Sequence, residues 1–298
     1  MELFEVALPL GEAMGVAIPF PAPRPGDGTE APLPALRLVA PIDAPTGGTP
    51  RDFPGEPEAF LSFASAGDMK FRESACCGNR ERFLALAGLV GARTLVQVLG
   101  LELTHSRRVL VPSRGEEASI AEAARGFDGL LLRDTLFVAT VTVADCMPIW
   151  LLDRGSGIFG VLHSGWKGTG ILAEALRVLE AAGCDLGAVA LILGPAIGAC
   201  CYEVGEDRAE TFRAEFGELA AVSRGGKTFL DMRAANLSIA RTAGVGRVLS
   251  VLACTSCDLR LGSSRRSGGR QFTRMLAAAG WAEAGASGAA SSGGRHAL

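Results

Sequence analysis

Between Thr135 and Leu162 three runs rich in β-branched and apolar residues follow one another with little chain between them: Thr135–Val143, Ile149–Leu152 and Ile158–Leu162. The link Asp153-Arg154-Gly155-Ser156-Gly157 is a turn sequence, and the stretch from Ala144 to Pro148 is too short to hold a helix. Parallel neighbours need a crossover of a dozen residues or more, so runs joined this tightly favour antiparallel pairing. Helical segments follow these hairpins. The pattern predicts an α+β chain with mixed β-sheets and argues against a repeating β–α–β wheel.

The remaining elements are read from periodicity and punctuation. Short strands are expected at Phe4–Leu8 and Val16–Phe20, and a Pro- and Gly-rich loop region at 21–57, with one strand at Ala35–Val39. Asn79 is placed to cap a helix through Val90 that carries Phe83, Leu84 and Leu86, and Arg93–Leu99 is β-rich. Ile171, Leu172, Ala175, Leu176 and Leu179 repeat at helical spacing within Thr169–Ala182. A buried strand Val189–Leu193, helices at Asp207–Phe216 and after Asp231, and a strand Val248–Leu252 follow. No internal repeat is visible. Residues 1–281 read as one domain, and the small, polar segment 282–298 as a disordered tail.

Composition narrows the function. A chain of 298 residues with 48% hydrophobic residues can fill a substantial core, and a formal net charge of −3 is not that of a nucleic-acid binder. No apolar run is long enough to span a bilayer, and the N-terminal residues lack a basic leader region, so a cytoplasmic protein with no membrane partner is expected. The eight cysteines include two adjacent pairs, which suits partly buried thiols better than a disulfide framework.

The chemistry-bearing candidates are few. Of three histidines, His296 lies in the tail, while His163 sits where a strand ends and Ser164-Gly165-Trp166-Lys167-Gly168-Thr169-Gly170 begins. A loop leading into a helix is where ligand-binding groups project, and a helix N-terminus suits an anion. His105 follows a β-rich stretch, and Cys146 lies between two strong strands with Pro148 as a local interruption. Singly, such residues are more often packing than ligands; together they would form a His2Cys set that zinc accepts, leaving a fourth position open. Spacing alone does not decide between these readings. Cys254-Thr255-Ser256-Cys257 is a lone Cys-x-x-Cys with no second pair at zinc-ribbon spacing, so structural thiols are the favoured reading there. Arg265, Arg266 and Arg270 form a basic cluster, either a solvated loop or a grip on phosphate or carboxylate.

Taken in order, several segments resemble the laccase-domain family, also called the multicopper polyphenol oxidase or YfiH-like family. They are Thr104-His105-Ser106, Val143-Ala144-Asp145-Cys146-Met147-Pro148, Val161-Leu162-His163-Ser164-Gly165-Trp166-Lys167-Gly168, and Leu193-Gly194-Pro195-Ala196-Ile197-Gly198 running into Cys200-Cys201-Tyr202-Glu203-Val204-Gly205. Cys254–Cys257 and Ser263–Arg266 with Gly269-Arg270 close the series, which spans about Gly78–Met275. The resemblance implies a layered α/β/β/α fold and a metal, zinc or alternatively copper, on His105, Cys146 and His163 as the catalytic set. It also implies phosphorolysis of adenosine, inosine, guanosine and methylthioadenosine with adenosine deamination. Purine nucleoside and phosphate are then the small-molecule partners, and some bacterial relatives are linked to peptidoglycan editing. Zinc-lowered water pKa suits attack at C6 of adenine. Lys167, the helix N-terminus near Thr169, or Arg266 are the candidate phosphate cradle, with Asp145 and Tyr202 as further ligand-binding candidates. Leu103, Lys167, Ser256 and Ser264 stand where the family usually has Gln, Arg, Tyr and Tyr, changes that bear on substrate range. Rival readings are a thiol hydrolase with Cys146 as nucleophile and His163 as base, a non-enzymatic binding protein, and a copper-dependent phenol oxidase.

Overall fold

The computed structural model describes residues 1–11, 13–21, 36–39, 56–70, 74–90, 96–113 and 125–282. Most of the expected Pro- and Gly-rich loop region, the start of the Arg93–Leu99 run, and 283–298 of the expected tail lie outside the described residues. In chain order the strands are β1 (Glu2–Val6), β2 (Gly15–Pro19), β3 (Arg37–Val39), β4 (Glu58–Ser62), β5 (Gln97–Gly100), β6 (Val109–Leu110), β7 (Gly129–Leu132) and β8 (Phe137–Val143). They continue as β9 (Met147–Asp153), β10 (Ile158–Ser164), β11 (Val189–Leu193), β12 (Glu203–Val204), β13 (Ala221–Arg224), β14 (Lys227–Leu230), β15 (Arg247–Val251) and β16 (Met275–Gly280). Four α-helices occur among the described residues: α1 (Ser74–Leu86), α2 (Ile171–Ala181), α3 (Glu206–Phe216) and α4 (Met232–Thr242).

Two mixed sheets form the body. One has seven strands in the order β1-β15-β11-β9-β10-β7-β6, the other six in the order β3-β2-β4-β16-β8-β5. The short loop 144–146 carries the chain from β8 in the second sheet to β9 in the first, and β9 then pairs antiparallel with β10 through the expected turn. Strand alternation sorts side chains into layers. Trp150 and Leu152 of β9 meet Val141 and Ala277 of the other sheet, whereas Ile149 and Leu151 turn outward to α2 and α4. On the far side, Phe60, Val138 and Leu276 pack against Phe83 and Leu84 of α1. The result is four layers, helix, sheet, sheet and helix. The Trp150 indole N–H donates to the Ala278 carbonyl at 2.8 Å, so the largest buried side chain also satisfies its polar atom across the two sheets.

Several boundaries differ from the sequence reading, each for a local reason. Helix α1 starts earlier, and Asn79 lies inside it with its amide donating to the Asp68 carbonyl rather than capping. It ends at Leu86 because Gly88 turns to φ +72° and Leu89 N–H reaches back to Leu84, a Schellman-type stop. Pro148 belongs to β9 and His163 to β10, where the two are register partners. Pro148 is tolerated there as the second residue of the strand, close to where the ladder begins. Helix α2 starts at Ile171, not Thr169, behind Gly170 at φ +106°, with no side-chain cap. A missing cap costs about 1 kcal/mol, but Ile171, Leu172, Leu176 and Leu179 are fully withdrawn, at about 1.5–3 kcal/mol each, so burial holds the helix. No described helix is long and apolar enough to cross a membrane.

A candidate metal centre and its cavity

The crossing between the two sheets gathers the three candidate donors. Cys146 sits in the loop from β8 to β9, His163 near the end of neighbouring β10, and His105 in the turn between β5 and β6. Their donor atoms all lie within 4.8 Å of one another, and the imidazole centroids are 4.9 Å apart with planes at 75°. His163 is buried, Cys146 half-buried and His105 exposed, so the group opens on one side. Gly165 makes the approach feasible: a Cβ there would stand 2.8 Å from Cys146 Sγ and 3.3 Å from the His105 ring.

Asp128, which sequence reasoning did not single out, organises the group. Its carboxylate is fully buried and accepts from His163 Nδ1 at 2.9 Å. It also accepts from the backbone N–H groups of Thr104, His105 and Ser106 and from the hydroxyls of Thr104 and Ser106. A carboxylate only accepts, so Nδ1 carries a proton and Nε2 is the ring nitrogen left for the cluster. The same bonds hold His105 at φ 59°, a left-handed conformation that needs such support. Burial pushes Asp128 upward, but the bonds from His163 and Ser106 outweigh it and hold the carboxyl well below the usual range. In the metal-free protein, burial opposes charge on both Cys146 and His163, yet each stabilises the other's charge. The Cys146 thiol is drawn down to about 6 and His163 raised to about 9. The metal-free cluster therefore favours a thiolate beside an imidazolium, and a cation bound there takes the place of the imidazolium's second proton.

A cavity of about 370 Å³ opens onto the cluster, lined by His105, Cys146, Asp145, Ile197, Tyr202 and Arg265 among others. Tyr202 is raised to about 12, first by burial and then by the Cys146 thiolate, so its phenol keeps its proton. The Arg265 guanidinium lies 5.2 Å from the Tyr202 ring centroid. Asp145, at φ 82°, accepts from Thr255 Oγ1 and from Arg265 N–H, both at 2.7 Å, which ties the two far walls to the residue preceding Cys146. Three other candidates, Lys167, Thr169 and Arg266, are not among the residues that line the cavity. Thr169 is buried and its hydroxyl closes onto the Gly165 carbonyl at 2.7 Å. Lys167 is exposed, with its Nζ 5.4 Å from the Trp166 ring centroid. The Arg266 guanidinium laces the carbonyls of Thr255, Ser256, Asp258 and Leu261. Arg265, its neighbour, is the arginine that lines the cavity, a distinction that composition does not carry. Nor is the Cys-x-x-Cys isolated: Cys200 and Cys201 join Cys254 and Cys257 within the same 4.8 Å limit.

Similarity to known proteins is found in both sequence and fold. The family described as multi-copper polyphenol oxidoreductase laccase matches residues 58–282. The adenosine deaminase RL5 of an unknown prokaryotic organism is 35% identical over 63% of this chain and 81% of its own length. A purine nucleoside phosphorylase of Deinococcus radiodurans is 36% identical over 68% of this chain and 76% of its own. The crystal structure of YlmD from Geobacillus stearothermophilus superposes with a TM-score of 0.67 at 27% identity, covering 78% of this chain and 93% of that one. The Bacillus licheniformis hypothetical protein YfiH gives the same TM-score at 24% identity over 76% of this chain and 92% of that one, a likeness of fold.

Proposed function

The chain belongs to the multi-copper polyphenol oxidoreductase laccase family, and from that premise we propose that it is a zinc-dependent purine nucleoside enzyme. It catalyses phosphorolysis of adenosine, inosine, guanosine and methylthioadenosine and deaminates adenosine. The observation that carries the reading is the convergence of His105, Cys146 and His163 on an open cavity, with a buried carboxylate behind His163. Relatives named purine nucleoside phosphorylase and adenosine deaminase support the reaction class. A multicopper oxidation centre needs many imidazole ligands, and this chain has three histidines, which makes phenol oxidation the weaker reading.

The donor set fits zinc: one thiolate and two imidazoles, with the ring nitrogen of His163 directed by Asp128. A zinc ion held by these three residues would supply Lewis acidity at the cavity floor. The protein's own groups do the rest. Asp128 keeps the proton on His163 Nδ1 and fixes the ring. Arg265 offers positive charge for phosphate beside the nucleoside, and the protonated Tyr202 offers a donor and an aromatic face. Asp145 is a positioning residue, since both its carboxylate oxygens are taken by Thr255 and Arg265.

The test is chromatographic product analysis of the metal-loaded protein with adenosine, inosine and methylthioadenosine, with and without phosphate. Phosphate-dependent release of free base, lost in Cys146→Ala, is the expected result; no product from fully loaded protein overturns the reading. The two arginines then separate. Arg265→Ala is expected to raise the KM for phosphate tenfold or more, about 1.4 kcal/mol of lost binding, with little change in melting temperature. Arg266→Ala is expected to lower stability by about 1.5–3 kcal/mol, because several loop carbonyls lose a charged donor. Equal effects of the two on phosphate KM would refute this division of labour.

A further inference from the structure

The chain carries a second cluster of soft ligands, outside the cavity just described. Cys200 and Cys201 lie in the turn that follows β11, and Cys254 and Cys257 in the turn that follows β15. More than fifty residues separate the two pairs in sequence, yet parallel pairing of β11 with β15 delivers both turns to the same end of the sheet. There the sulfur atoms converge. Cys257 Sγ is 3.7 Å from Cys200 Sγ and 3.4 Å from Cys201 Sγ, and all four lie within 4.8 Å of one another. None of the four is in a disulfide.

We propose that Cys200, Cys201, Cys254 and Cys257 form a structural four-thiolate site for a zinc-class divalent ion, separate from the His105–Cys146–His163 centre. Three observations meet on it. The first is spacing: tetrahedral zinc with Zn–S bonds of about 2.3 Å sets its sulfurs about 3.8 Å apart, close to the separations seen. The second is donor chemistry, since four thiolates in a tetrahedral cluster select zinc or iron over harder ions. The third is the backbone. Cys257 N–H and Asp258 N–H both close onto the Cys254 carbonyl, at 3.1 and 2.9 Å, which curls the Cys-x-x-Cys into a tight turn. Cys201 N–H and Tyr202 N–H close onto Gly198 in the same way, at 2.9 and 3.0 Å. Gly198 N–H then donates to Cys254 Sγ at 3.2 Å, an N–H···S bond that favours the thiolate. Binding releases the thiol protons, and the cation meets the charge of the thiolates so formed.

The position suggests what such an ion holds together. Ala196 and Cys254 form a backbone bridge, Thr255 N–H donates to the Ala196 carbonyl, and Thr255 Oγ1 donates to Asp145 beside Cys146. Tyr202, a cavity wall residue, directly follows Cys201. The ion therefore staples the two loops that build one side of the cavity, and its role is to brace that wall.

Metal content of the full-length chain, expressed and purified under reducing conditions and equilibrated with Zn²⁺ alone, tests the proposal. Two equivalents per chain are expected. Cys146→Ala should keep one, and its Co²⁺-substituted form should show the intense visible absorption of a four-sulfur tetrahedral centre. Cys254→Ser and Cys257→Ser should each lose that absorption and one equivalent while leaving the other. The Cys146→Ala measurement stands even if the serine variants fold poorly, and none of these readouts depends on nucleoside turnover. A reduced wild-type chain whose metal is wholly lost in Cys146→Ala overturns the proposal. So does a disulfide among the four cysteines in reduced, freshly purified protein, or Co²⁺ spectra unchanged by Cys257→Ser.

Discussion

Asp128→Ala is expected to cost about 3–5 kcal/mol of folding stability in the metal-free protein and about 10–100-fold in metal affinity. The stability loss follows from the number of groups abandoned. Three backbone N–H groups, two hydroxyls and the His163 ring all donate to this one fully buried carboxylate. A buried donor without an acceptor costs about 1–3 kcal/mol, and a buried imidazolium without its counter-charge costs more. The affinity loss has a different origin: without Asp128, nothing fixes which ring nitrogen of His163 carries the proton, and the turn holding His105 at positive φ loses its anchor. The sign with pH is definite. The Asp128 carboxyl is held below its ordinary value of 3.8, so its contribution is fully present above that value and is lost only as pH falls into acid. Urea unfolding at neutral pH therefore reads the full cost, and chelator competition reads the affinity. A variant within about 1 kcal/mol of wild type with unchanged metal affinity would show that the carboxylate does not organise the centre.

How much of this was legible in the sequence depends on how local the cause is. The β9–β10 hairpin was, because Asp153–Gly157 is a turn sequence between two apolar runs, and the structure pairs the strands in that register. Helix α2 was legible from its apolar spacing, and α4 from Asp231, whose carboxylate accepts from Ala234 N–H. Strand β16 was not. Met275-Leu276-Ala277-Ala278-Ala279-Gly280 has helix-forming composition, but it lies between β4 and β8 with neighbours on both faces, and tertiary packing overrides propensity. At the site, His105, Cys146 and His163 were individually visible but their convergence was not derivable from spacing; it depends on the chain changing sheets between β8 and β9. Asp128 was hidden because an Asp before Gly129-Leu130-Leu131-Leu132 is an ordinary turn signal. Its role exists only through residues distant in sequence, His163 thirty-five positions on and the Thr104–Ser106 turn more than twenty positions back. Cys200 and Cys201 meet Cys254 and Cys257 only because β11 and β15 are parallel neighbours.

Alkylation of Cys146 in acid is the second large effect, and it separates the metal-ligand role from the thiol-hydrolase role. In metal-free protein burial raises the thiol, but the charges and bonds of His163 and His105 bring it down from 9.0 to about 6. The thiolate is thus present above that value and lost as pH falls through it. At pH 5 about 10% of Cys146 is thiolate against roughly 0.01% of an ordinary thiol, a ratio near a thousand. Lower basicity makes each thiolate a weaker nucleophile, and a Brønsted slope of about 0.4–0.5 over three pH units returns roughly twentyfold of that. A net preference of about 40-fold for Cys146 remains at pH 5, whereas at neutral pH it falls to about fourfold. Iodoacetamide labelling at pH 5, read by peptide mass mapping so that the four-cysteine cluster is counted separately, measures it. Preloading with zinc is expected to abolish the preference, since a metal-bound thiolate has its lone pair engaged. If Cys146 labels equally fast with zinc bound, and labelling kills turnover while the metal stays, the thiolate is the nucleophile and the hydrolase reading takes the place of the nucleoside one.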